Sequence, residues 1–207
     1  LVMSVAVPRG SVVGGLVSHG VRDVFYTDIS GGSGPFTKLR ASLTSTGNEG
    51  SGGASGDPSI YVAGNGRTLV AYESSKDDLV PGSTASTNVY VFDSSTATST
   101  LLNQKRYSTL ESIGDGSARN PVIAADGSRI AFESDASNID VLRPEDLNSS
   151  TDVFLVDVAQ ALNGNVLPHR FSLTTIESAD GDGSSTDPQF NTFASTSTSF
   201  AVGFSVY

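Results

Sequence analysis

The sequence predicts an all-β, antiparallel fold made of an array of four-stranded units, and three recurring landmarks carry that prediction. The first is a short apolar strand, Asp23-Val24-Phe25-Tyr26-Thr27-Asp28, which returns as Asn88-Val89-Tyr90-Val91-Phe92-Asp93 and as Asp152-Val153-Phe154-Leu155-Val156-Asp157. The steps between copies are 65 and 64 residues. The second is Arg40-Ala41-Ser42, Arg106-Tyr107-Ser108 and Arg170-Phe171-Ser172, which follow the starts of those strands by 17 or 18 residues. The third is Asp57-Pro58, Asn120-Pro121 and Asp187-Pro188, each preceded by a Gly/Ser-rich stretch. Self-similarity at a fixed period marks supersecondary units that bury their faces on one another.

Within a unit, a first strand follows the proline. Gly64-Asn65-Gly66 then precedes Leu69-Val70-Ala71-Tyr72-Glu73-Ser74, and Asp126-Gly127 precedes Ile130-Ala131-Phe132-Glu133-Ser134. Asn-Gly and Asp-Gly tolerate positive φ, so each marks a hairpin into a second strand. The Asp-Val-Phe motif is the third strand and Arg-x-Ser the fourth. Gly114-Asp115-Gly116-Ser117 and Gly181-Asp182-Gly183-Ser184, with the Asx-Pro steps that follow them, read as connections. Four-stranded antiparallel units set radially are β-propeller blades, whose usual period of about 40–50 residues is shorter than this one. Long loops absorb the excess, the largest running from Ser134 to Asp152.

The register divides the chain into a partial first blade at 1–47 with strands two to four, a second blade at 48–113, a third at 114–180, and a partial fourth at 181–207 with strands one and two. The expected architecture is therefore a β-propeller array of about three four-stranded blades, incomplete at both ends. The motif strands are apolar on both faces, as strands covered on two sides are. Further copies of the chain, or the remainder of a longer one, are the partners expected to cover the end blades.

The run Asp126-Gly127-Ser128-Arg129-Ile130-Ala131-Phe132-Glu133-Ser134, then Ala136-Ser137-Asn138-Ile139, Asp146-Leu147-Asn148 and Asp152 to Asp157 resembles the TolB-like propeller repeats of secreted bacterial proteins. The resemblance extends from Asp23 to Phe204. It implies a propeller serving as a binding platform, a structural module or an enzyme appendage, and an extracellular or cell-surface location. The second repeat departs from the pattern with Lys76-Asp77-Asp78-Leu79, Pro81-Gly82-Ser83-Thr84 and Asn88.

Composition narrows the partners. The 207 residues carry 12 Lys and Arg against 22 Asp and Glu, a net charge of −10, with a pI near 4.4. Such a balance disfavours nucleic acid and anionic membrane surfaces, which call for basic patches. The absence of cysteine removes disulfides and thiolate metal sites. No apolar run approaches the roughly 20 residues that span a bilayer, so membrane insertion by a helix is not expected.

Few residues offer catalytic chemistry. His19 and His169 occupy different repeat positions, and no nucleophile elbow, zinc-protease helix or phosphate loop accompanies them. Both read as loop or edge residues. Glycoside hydrolysis needs two acids across one bond, but Glu73 and Glu133 are the same position in successive repeats and read as turn or edge residues. Asp28, Asp93 and Asp157 suit Asx turns at strand ends. Arg40, Arg106 and Arg170 read as a repeated salt bridge or packed stem. No cofactor is required by this pattern. Calcium is the one candidate, with Asp146, Asn148 and Asp152 in one loop and Asp180, Asp182 and Asp187 in another; the alternative for both loops is solvated connections with Asx turns. Asn148-Ser149-Ser150 is also a formal glycosylation sequon.

The expected function is a non-catalytic extracellular structural or interaction module that assembles with copies of itself into a surface layer, matrix or filament. One alternative is a fragment of a larger propeller binding a small ligand, peptide or glycan. The other is an appendage to an enzyme whose catalytic domain lies elsewhere.

Overall fold

A computed structural model describes residues 2–6, 12–13, 16–17, 20–29, 37–81, 86–107, 110–140, 148–172, 183–191 and 201–206. In chain order the strands are β1 (Val2–Ala6), β2 (Val12–Val13), β3 (Leu16–Val17), β4 (Arg22–Tyr26), β5 (Leu39–Arg40), β6 (Ser55–Val62), β7 (Thr68–Ser74), β8 (Asn88–Asp93), β9 (Thr98–Leu101), β10 (Gln104–Tyr107), β11 (Leu110–Ile113), β12 (Ala118–Ile123), β13 (Arg129–Ser134), β14 (Asp152–Asp157), β15 (His169–Arg170), β16 (Ser185–Asn191) and β17 (Ala201–Val206). One short helix, α1 (Val158–Leu162), follows β14.

The strands form antiparallel meanders. The first sheet is β1-β4-β5, the second β6-β7-β8-β9, the third β12-β13-β14-β15 and the fourth β16-β17, with small hairpins β2-β3 and β10-β11 beside them. Among the described residues these four sheets hold three, four, four and two strands.

Alternation along the strands shows how the sheets stack. In the second sheet Leu69, Ala71, Val89 and Val91 share a core with Ile130, Phe132, Phe154 and Val156 of the third. Their neighbours Val70, Tyr72, Tyr90 and Phe92 share another with Val24 and Ala41 of the first. Successive side chains point to opposite faces of a strand, so the second sheet lies covered on both sides, and all six residues of β8 are buried. Stacked rings fill both layers, with Tyr72 and Tyr90 5.5 Å apart and Phe132 and Phe154 5.9 Å apart. Each fully buried side chain of this kind contributes roughly 1.5–3 kcal/mol. The Tyr72 hydroxyl, with no water to meet, pairs with Ser99 Oγ at 2.8 Å.

The hairpin turns follow from their glycines. Gly66 and Gly127 have φ of 85° and 72°, and in both turns the glycine N–H bonds back to the residue three earlier. At Gly127 the ring of Tyr61 lies where a β-carbon would stand, so close packing as well as conformation requires glycine there.

Three expectations are corrected. The Asx-Pro steps are not connections: they lie inside β6, β12 and β16, where the register slips between Gly56 and Ser59, Arg119 and Val122, and Thr186 and Gln189. Proline lacks the N–H that a ladder needs, and a bulge accommodates that loss. The fourth strand of the second unit is β9, not the Arg106 segment. Leu101 pairs with Tyr90 as Arg40 pairs with Phe25 and Arg170 with Phe154, so Leu101-Leu102-Asn103 is the counterpart of Arg-x-Ser. Arg106 instead lies on β10, paired with Glu111 of β11. The third is α1, where β14 was expected to end in an Asx turn alone. Asp157 does cap it, its side chain accepting from the Gln160 N–H.

Candidate functional site

The three bulges meet. Asp57-Pro58-Ser59, Asn120-Pro121-Val122 and Asp187-Pro188-Gln189 line one cavity of about 420 Å³, each contributed by the first strand of a different sheet. Asp57, Asn120 and Asp187 have φ of 43°, 52° and 55°. Asp and Asn are the non-glycine residues that best tolerate this left-handed region, which explains why only those two types stand before the three prolines.

A bulge releases a backbone N–H from its own ladder, and here the preceding sheet receives it. Glu73 on β7 accepts from the Asn120 N–H at 3.2 Å. Glu133 on β13 accepts from the Asp187 N–H at 2.8 Å. The Ile123 N–H also reaches back, to Ser59 Oγ at 3.1 Å. The glutamates therefore are not turn or edge residues. They sit within the second strands and tie each sheet to the bulge of the next.

Their surroundings differ. Glu133 is buried and also accepts from Arg119 Nε at 3.1 Å and Asn120 Nδ2 at 2.9 Å. At the places of Arg119 and Asn120 the second sheet has Gly56 and Asp57, so a second carboxyl faces Glu73. Burial first, and then the Asp57 carboxyl, push Glu73 above its usual range, while the Asn120 N–H and Arg119 pull the other way. Arg119 is further held by Asp135 at 3.0 Å. Burial would raise Asp135, but hydrogen bonds from Arg119 and Thr151 overcome it and keep that carboxyl low.

The calcium candidates do not converge among the described residues. Asp146, Asp180 and Asp182 lie outside them. Asn148 Oδ1 accepts from the Ser150 N–H at 2.8 Å, an Asx turn. Asp152 is buried at the start of β14, accepting from Ser172 Oγ at 2.7 Å and facing Arg170 Nε at 3.2 Å. Asp187 belongs to the bulge. No three His, Asp or Glu side chains among the described residues form a metal-holding group.

The remaining candidates serve the frame. Arg40 and Arg170 are buried in ion pairs and lie over the rings of Phe25 and Phe154. Asp93 makes the expected Asx turn to Ser95 and a bidentate pair with Arg67. One unit later Asp157, the counterpart of Asp93, pairs with Arg129, which stands at the register position of Leu69. His169 is exposed on β15, whereas His19 lies outside the described residues. Sequence reasoning found the Asx-Pro steps but missed their role; the signal was the restriction of the residue before proline to Asp or Asn.

A second cavity, of about 650 Å³, lies between the Asn65-Gly66-Arg67 turn, the Asp93 to Thr96 turn and the end of α1. The Asn65 side-chain carbonyl, Arg67 and Asp93 lining it are already engaged with one another or with their own turns. No described helix is long and apolar enough to cross a membrane.

No family model matches the chain, and no curated protein does. The TolB-like likeness stands on the repeat residues alone.

Proposed function

We propose that this chain is part of a propeller-type array and works as a non-catalytic interaction module outside the cell, joining further units of its kind in the same chain or in other copies. The observation that carries this reading is the second sheet. It is covered on both faces by its neighbours, while its first strand shares a cavity with the first strands of the third and fourth sheets. Units made to be covered on two faces propagate by adding another unit. The ionisable groups support the same reading, since Glu73, Glu133, Arg40, Asp152 and Arg170 serve contacts between strands and sheets.

Sedimentation velocity over a hundredfold range of protein concentration tests it. Association that grows with concentration is expected. A stable monomer throughout, with no exposed apolar surface detected by a hydrophobic dye, overturns assembly between copies. The cavity at the bulges favours a second reading, a mouth for a small polar ligand or peptide. It would be supported by a ligand that shifts the amide resonances of Asn120 and Asp187 and leaves those of β9 unmoved.

A further inference from the structure

Two neighbouring junctions in this molecule use opposite chemistries at equivalent positions. Between the first and second sheets lies a buried ion network. Lys76 Nζ meets Asp23 Oδ1 at 2.5 Å with both side chains fully buried. Arg40 approaches Asp23 at 3.6 Å and Glu49 at 3.0 Å, again with all groups buried. Ser42 Oγ donates to Asp23 and accepts from the Val24 N–H.

The next junction has no charge at any of those places. Asn88 begins its strand as Asp23 does, and Leu101 pairs as Arg40 does. Asn103 accepts from the Val89 N–H and donates to Asn88, taking the part of Ser42. Ile113 pairs with Gln104 as Glu49 pairs with Leu43. Ala136 follows β13 by two residues as Lys76 follows β7, and both backbone N–H groups bond the serine two residues back. Two acids and two bases have been replaced together by Asn, Leu, Ile and Ala.

We infer that these positions form a matching code that decides which unit can follow which. The face of the first sheet fits only a neighbour that brings a cation at the place of Lys76 and an acid at the place of Glu49. The second sheet fits only a neighbour that brings small and apolar groups there. A wrong neighbour, from this chain or from another copy, would leave buried charges unpaired, which costs far more than a matched pair returns. Stability alone does not call for the ionic set, since burial pushes the Asp23 carboxyl upward against the pull of Lys76, Ser42 and Arg40. Fixing the choice of neighbour is the best-attested use of such a network. The third unit carries Asp152, Arg170 and Ser172, the ionic form. In the sequence, Asp180-Gly181 stands where Glu49-Gly50 and Ile113-Gly114 stand.

The test is a half-swap against a full swap in the intact chain. One variant carries Asp23→Asn, Arg40→Leu and Ser42→Asn; a second carries Glu49→Ile and Lys76→Ala; a third carries all five. Each half-swap is expected to lower the thermal midpoint by about 6–12 °C. The full swap is expected to return to within about 3 °C of the parent. Half-swaps that fail to fold beside a full swap that folds support the inference equally. It is overturned if the half-swaps cost nothing, if the full swap loses the sum of the two, or if none of the three folds.

Discussion

Glu73 and Glu133 hold the same place in consecutive sheets and do the same backbone work, yet only one has its charge matched. Glu133 gathers Arg119, Asn120 Nδ2 and the Asp187 N–H. Glu73 has the Asn120 N–H and a facing carboxyl from Asp57. The backbone task is inherited with the repeat because the bulge recurs wherever Asx-Pro recurs. The charge environment comes from the two residues before proline, Gly56-Asp57 in one sheet and Arg119-Asn120 in the other: the first differs outright between the units, and the second alternates between Asp and Asn.

Removing each glutamate measures that difference. Glu133→Ala leaves the Asp187 N–H and the Asn120 amide without their acceptor and takes one of two acids from Arg119. Arg119 is partly exposed and keeps Asp135, so the expected loss is about 2–3 kcal/mol rather than the full cost of a broken buried pair. Glu73→Ala loses the bond from the Asn120 N–H and removes the contact with the Asp57 carboxyl, so its expected loss is about 1 kcal/mol or less. Chemical denaturation of the two variants side by side is the check. Equal losses would mean that the shared bond to the next bulge dominates and that the charge environment is of no account.

Much of the fold was legible because it is written in periods. The alternating Leu69/Val70 and Val89/Tyr90 faces, the Gly66 and Gly127 turns and the recurring Asp-Val-Phe strand each depend on a few adjacent residues. What escaped was set between sheets. Arg106 mimics the spacing of Arg40 and Arg170 although Leu101 holds their place, because spacing cannot report that Asn88 has already lost the charge an arginine would answer. Glu73 and Glu133 resemble edge residues in sequence, since the N–H groups they accept lie 47 and 54 residues away. The calcium loops rest on composition alone, and the carboxylate of Asp152 answers an arginine that only the folded register brings beside it.

The smallest expected effect isolates the unmatched carboxyl. Asp57→Asn gives the second sheet the residue that Asn120 supplies to the third, and asparagine tolerates the same positive φ, as Asn120 itself shows. Glu73 is raised above its ordinary value of 4.5, so the folded chain binds its proton more readily than the unfolded chain does. That contribution is present below the ordinary value and is lost as pH rises through the folded one. Once pH has risen through the folded value, Glu73 is ionised beside the Asp57 carboxyl and the contact is at its least favourable. Removing Asp57 should therefore raise the thermal midpoint by about 1–3 °C on the alkaline side of that folded value, with solvent screening at the half-exposed site keeping the gain small. Near pH 4, where Glu73 holds its proton, the gain should vanish. Asp93, Asp126 and Asp135, held low by their partners, impose the opposite slope at acid pH. They do so equally in parent and variant, so the difference between the two curves reports the contact between Glu73 and Asp57. A gain that persists unchanged at pH 4 would assign it to the backbone of the bulge and not to the paired carboxyls.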